Sequence, residues 1–295
     1  MLSALLSNAF PKTADQYLEE PGSDALRPDA ATPQTPNLAA AAVSSAEPTA
    51  RGAAPGTTPA PLEPERRGLL ERLAARVSCS IEELEAFPTV AQCLDRVAAS
   101  LFAGRRVVIA RPAGEAIAAR AWSSARVARE VDAQPFDALV AAARDAEVLV
   151  LSSPVVGADG RARAAITPRE LLLLRSRAPR PVIVLDLLDE ELARTPLTQP
   201  ALLLPGTVIV RGFGDLWRGA GAGDVAGLAF IAGPADLVAQ VADGGGTGDA
   251  WATARSSGDL GADGDPLLLR AIADLDRPGI DRAVQEAASA LRTAR

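Results

Sequence analysis

Four apolar runs punctuate the middle of the chain between Glu147 and Ile231: EVLVLSSP, PVIVLD, GTVIVRGF and GLAFIAG. Each is short, rich in Val, Ile and Leu, and bounded by Pro, Gly or Asp, so each predicts a buried strand. Their apolar positions are continuous and do not alternate with polar ones. That pattern belongs to a parallel sheet covered by helices on both faces. Between the first two runs, Thr167-Pro168-Arg169-Glu170 precedes Leu171 to Leu174. A capping threonine, a proline at the first helical position and a glutamate placed to close the box predict a helix start there. Strand, helix and strand in this order predict an α/β core, a three-layer αβα arrangement around a mostly parallel sheet.

The flanks extend the pattern. GLLERLAARV and the stretch from Val90 to Phe102 carry apolar residues at helical spacing, and Ser80-Ile81-Glu82-Glu83 reads as a second capped helix or turn. RRVVIARP and ARVAREVD predict two more strands, and 135–146 a helix leading into EVLVLSSP. After Val241 the chain turns to Gly, Asp and Ser, which predicts a linker, and LLLRAIADL and IDRAVQEAASALRTAR predict two closing helices. Residues 1–66 hold ten of the 23 prolines and almost no periodic apolar pattern, a composition that cannot build a packed core. The expected organisation is a Pro/Ala-rich disordered arm over 1–66, a large α/β domain over 67–241, a linker over 242–264 and helices over 265–295.

Composition narrows the chemistry. With 48% hydrophobic residues the chain has ample material for a core, and its net charge of −7 argues against a phosphate-tracking surface, so nucleic acid is not an expected partner. No run reaches the length of a membrane span and MLSALLSNAFPK has no basic n-region, so no membrane partner is expected and the reading is cytoplasmic. There is no histidine and the sole lysine is Lys12. Neither imidazole nor Schiff-base chemistry is available in the body of the chain. Cys79 and Cys93, with no histidine near them, lack a zinc-ligand pattern and read as buried thiols.

Two local clusters invite chemical readings. Gly219 to Gly223 follows a strand but meets neither the dinucleotide nor the P-loop spacing, and reads as a filler loop. Asp186, Asp189, Glu190 and Glu191 crowd one strand end; a hard cation is one reading and a solvated acidic helix start the favoured one.

The sequence from Ser153-Pro154-Val155-Val156-Gly157-Ala158-Asp159-Gly160 through VIVLD (182–186) and Val210-Arg211-Gly212-Phe213-Gly214-Asp215 to Gly227-Leu228-Ala229-Phe230 resembles the large domain of class I/II aminotransferases. These are pyridoxal-phosphate enzymes of fold type I, and the closest flavour is histidinol-phosphate aminotransferase. The resemblance covers roughly 68–241, with weaker likeness in the terminal helices. It implies a fold without the family's small C-terminal domain, and it implies positions for each contact to the cofactor.

The internal-aldimine lysine corresponds to Asp215, and the serine before it to Gly214. The phosphate-cradling turn corresponds to Thr89-Val90-Ala91, and the aromatic that stacks on the ring falls among Ala113, Gly114 and Ile117. The ring-oxygen asparagine corresponds to Val156. The phosphate-neutralising arginine corresponds to Val225, with Arg218 in a longer loop as a candidate replacement. Asp186 keeps the place that pairs with the pyridine nitrogen. The resemblance therefore implies a protein that has lost transaminase chemistry and acts as a binding or scaffold protein. It would be a homodimer or a heterodimer with an aminotransferase homologue, and would hold pyridoxal phosphate only if the family function persists. The rival expectation is new small-molecule chemistry at Asp186, Asp215 and Arg218, brought together at the strand ends.

Overall fold

The fold is taken from a computed structural model that describes residues 64–156, 162–223, 225–244 and 264–293. Lys12, nearly all of the arm and most of the Gly/Asp-rich linker lie outside the described residues.

The chain enters through helix α1 (Pro64–Val77), which buries Leu69, Leu70, Leu73, Ala74 and Val77 on one face. At Ser80 the box is present, with the Ser80 amide donating to Glu83 Oε2 at 2.9 Å. It closes only a 3₁₀ turn (Ile81–Glu83), and the chain then extends into strand β1 (Leu84–Phe87), where the sequence suggested a helix or turn. Helix α2 (Val90–Val97) follows and runs on through a π turn (Ala98–Phe102) into strand β2 (Arg106–Arg111). Helix α3 (Glu115–Ser124) connects to strand β3 (Val127–Asp132), and helix α4 (Phe136–Arg144) leads into strand β4 (Val148–Ser152). A small antiparallel pair, β5 (Val155–Val156) and β6 (Ala162–Arg163), stands apart from the main sheet. Helix α5 (Pro168–Arg177) begins as expected: Thr167 Oγ1 accepts from the Glu170 amide at 3.2 Å, and Glu170 Oε2 accepts from the Thr167 amide at 2.8 Å.

Strand β7 (Val182–Asp186) is followed by a short helix α6 (Thr198–Leu202), strand β8 (Thr207–Gly212) and a five-residue helix α7 (Asp215–Gly219). Strand β9 (Ala229–Ala232), helix α8 (Ala235–Asp243) and the closing helices α9 (Gly264–Asp276) and α10 (Ile280–Thr293) complete the order.

Seven strands form one sheet in the order β1-β9-β8-β7-β4-β2-β3. The pairs from β3 to β8 are parallel, while β9 runs antiparallel to both β8 and β1. The alternation hidden inside the continuous apolar runs now has an explanation. Val108, Leu149, Leu151, Ile183, Leu185 and Ile209 face one core with α1, α4, α5, α9 and α10. Val107, Ile109, Val148, Val150, Val184 and Val208 face the other with α2, α3 and α8. Both faces of the central strands are buried, so neither set of alternate positions can be polar. The result is three layers, αβα. Among the described residues no helix is long and apolar enough to cross a membrane.

Candidate functional site

In a parallel sheet the carboxyl ends of the strands all point one way, and the loops leaving them form the usual place for a site. Three adjacent strands bring their ends together here. Register pairs Ser152, the last residue of β4, with Asp186, the last residue of β7. The loop after β2 delivers Gly114, which caps α3. Ser152 Oγ donates to Asp186 Oδ2 at 2.9 Å and accepts from the Gly114 amide at 2.8 Å. The Leu188 amide donates to the other carboxyl oxygen, Oδ1, at 3.1 Å. Asp186 is only 5% exposed. Its pKa is raised from 3.8 to about 6, chiefly by burial; the hydrogen bonds from Leu188 and Ser152 offset part of that, and the Asp189 charge adds to it.

Gly114 sits directly on this carboxyl group. A Cβ at position 114 would lie 2.4 Å from Asp186 Oδ2 and 3.4 Å from Ser152 Oγ. Apolar side chains close the neighbouring space. Gly212, at the end of β8, would meet Leu188 at 3.0 Å and Val90 at 3.2 Å if it carried a Cβ. Thr89 caps α2, its Oγ1 accepting from the Gln92 amide at 3.1 Å. Cys93 is fully buried on the same helix, and burial followed by the nearby Asp186 and Glu85 charges holds it firmly as a thiol.

Asp215 and Arg218 do not join this group. Asp215 stands in the first turn of α7 with its side chain 94% exposed, and its ion pair is with Arg218 at 3.1 Å. Among the described hydrogen bonds and ion pairs, none links Asp186 to Asp215 or Arg218. Ser152 is the member that sequence reasoning missed, while Gly114 was singled out only as a candidate position for the stacking aromatic. The only signal was Ser-Ser-Pro at the end of an apolar run, which marks a strand end without saying what stands opposite.

The acidic run after β7 also departs from expectation. Glu190 and Glu191 are buried, not solvated. Glu190 Oε1 accepts from the amides of Leu197 at 2.6 Å and Thr198 at 2.7 Å, and Oε2 accepts from Thr198 Oγ1 and pairs with Arg211 at 3.3 Å. Glu191 Oε1 accepts from Arg211 at 2.9 Å and from the Trp217 indole at 3.1 Å. Asp186 faces elsewhere, so the four acids do not form one cluster, and among the described residues no group of acids, cysteines or histidines is arranged to hold a metal ion. In the glycine run, Gly221 adopts φ +88° and its carbonyl accepts from Arg277 at 2.7 Å, which ties the loop to the turn after α9.

No protein-family model and no curated protein matches the chain. Solved structures do. A histidinol-phosphate aminotransferase from Clostridium acetobutylicum superposes with a TM-score of 0.57 at 10% identity, over 76% of this chain and 62% of that one. YbdL from Escherichia coli, identified as having a methionine aminotransferase function, gives 0.55 at 13% identity over 75% and 59%. The histidinol-phosphate aminotransferase from Sinorhizobium meliloti in complex with pyridoxal-5'-phosphate gives 0.52 at 16% identity over 76% and 58%. The chain thus spans about six-tenths of the length of these structures. The fold is that of type I pyridoxal-phosphate-dependent transferases, aminotransferase-like, as the sequence resemblance implied.

The residues present do not fit that cofactor as the site is folded. A ring nitrogen approaching Asp186 Oδ2 has to share that oxygen with the Ser152 hydroxyl, beside a Gly114 backbone on which one added carbon would already lie 2.4 Å away. No lysine lies among the described residues.

Proposed function

We propose that this protein has given up transamination and keeps the aminotransferase-like fold as a cytoplasmic binding or scaffold protein, pairing with a second copy or with an aminotransferase homologue. The observation that carries the reading is the closed end of β7. The carboxyl group that would pair with a pyridine nitrogen is held by Ser152 and Leu188, with the Gly114 backbone packed against it. The second support is Asp215, which stands where the resemblance puts the reactive amine. A carboxylate cannot condense with an aldehyde, and the cofactor's electron sink is of no use without attachment and orientation. Val90, in the turn where the resemblance puts the phosphate, is apolar and offers no charge-assisted contact to it.

The test mixes purified protein with pyridoxal phosphate and records the visible absorbance of an aldimine, followed by incubation with a panel of amino donors and 2-oxoglutarate. No aldimine band and no keto-acid exchange are expected. Exchange above the rate of free cofactor contradicts the proposal. Size exclusion beside it reads the scaffold role, which expects an assembly larger than one chain; a monomer both alone and with aminotransferase homologues of the host removes that part.

A further inference from the structure

The opposite edge of the sheet, where the parallel strands begin, has a different character from the rest of the molecule. Arg105 and Arg106 enter β2, Arg126 precedes β3, Arg144 closes α4 before β4, Arg177 closes α5, and Arg180 lies between α5 and β7. The carboxylates interspersed in these connections are Asp145 and Glu147. Glu147 serves two of the arginines, Arg106 at 3.3 Å and Arg126 at 3.6 Å. A basic edge thus stands on a chain of net charge −7.

Within it, Arg144, Arg177 and Arg180, with Asp145, line a recess of about 390 Å³. Arg144 Nε donates to the Arg177 carbonyl at 3.1 Å, and one nitrogen of Arg177 is engaged by Asp137 at 2.9 Å. Two of these arginines end helices, where a cation complements the dipole, so on their own they need no ligand. Arg180 differs. It lies outside both helices, is exposed, and has no side-chain partner among the described residues. Its loop is nonetheless fixed, because the buried guanidinium of Arg175 donates to the carbonyls of Pro179, Pro181 and Gly206 at 3.0, 2.9 and 3.0 Å. An unpaired guanidinium carried on a fixed loop beside two others, each with unused N–H groups, presents a fork suited to planar recognition of oxyanions.

We infer that the recess between Arg144, Arg177 and Arg180 binds a phosphoryl oxyanion, either free or carried on another molecule. It lies at the far end of the strands from Asp186, roughly 17 Å away for five-residue strands, so it stands whether or not the chain transaminates.

Titration calorimetry and thermal melting with inorganic phosphate, against chloride at matched ionic strength, test this, with a neutral phosphoserine peptide as a second arm. Phosphate should raise the melting temperature where chloride does not, and Arg180→Ala should weaken binding about tenfold, the size of one charge-assisted hydrogen bond. Arg106→Ala, on the same edge outside the recess, should leave binding unchanged. Because Arg180 is exposed, its variant should melt normally without anion. Tighter binding of the peptide than of phosphate assigns a phosphorylated side chain; equal or weaker binding assigns a free oxyanion. No phosphate-specific shift, or an Arg180→Ala variant that binds as the wild type does, overturns the inference.

Discussion

Gly114→Ala tests whether the loop after β2 is seated on Asp186. The backbone at 114 is φ −62°, ψ 129°, which alanine adopts freely, so any cost comes from packing. The new Cβ falls 2.4 Å from Asp186 Oδ2, about 1 Å inside ordinary contact. Asp186 cannot swing aside cheaply, because Leu188 and Ser152 hold both carboxyl oxygens and the residue is buried. Overpacking of this kind costs about 1–3 kcal/mol. Acting the other way, replacing glycine restricts the unfolded chain and stabilises by about 0.4–1 kcal/mol. Gly214→Ala is the matched control: Gly214 also caps a helix, and a Cβ there meets nothing within 4 Å. Urea unfolding followed by tryptophan fluorescence should place Gly114→Ala about 1–3 kcal/mol below Gly214→Ala. Equal stabilities would mean the loop does not rest on the carboxyl group.

Three further outcomes follow from the same geometry. The Asp186 carboxyl has a folded pKa of about 6 against an ordinary 3.8, so the folded form takes up its proton first as pH falls. Its contribution is fully present below pH 4 and is lost as pH rises through 6, a change of about 3 kcal/mol; Asp186→Asn should flatten the stability–pH curve over that window, and an unchanged slope would refute the assignment. Arg211→Met strands Glu190 and Glu191 in a buried setting and should cost about 3–5 kcal/mol by chemical denaturation, whereas a loss under 1 kcal/mol would mean the pair is effectively solvated. Leu149→Ala, in a fully buried position of β4, should cost about 2–5 kcal/mol in the same assay; a near-neutral result would place that strand at an edge.

The central sheet was legible because each strand buried on both faces leaves an uninterrupted apolar run, as in VLVLS, VIVLD and TVIVRG. The same run cannot reveal direction: AFIA is equally apolar and lies antiparallel, since burial on both faces and not strand sense removes the polar positions. Strand β1 was missed because a capping box also closes a three-residue turn, and LEAF becomes a strand only by pairing with β9. Helix α3 was missed because it buries only Ile117 and Ala121, too thin a stripe to show a period. Glu190 and Glu191 looked solvated because their partner Arg211 lies some twenty residues further along the chain and reaches them only through the fold. At the site, Asp186 was legible as an acid ending a strand, but its meaning depended on Ser152 and Gly114. Neither carries a motif: register sets Ser152 beside it, and the loop after β2 brings Gly114.

The closure of the β7 end is tested most directly by a crystal of the protein soaked in pyridoxal phosphate. The Gly114 amide should remain within hydrogen-bonding distance of Ser152 Oγ, with no ring density at Asp186. A pyridine ring seated against Asp186 Oδ2, with the loop after β2 drawn back, would contradict the account.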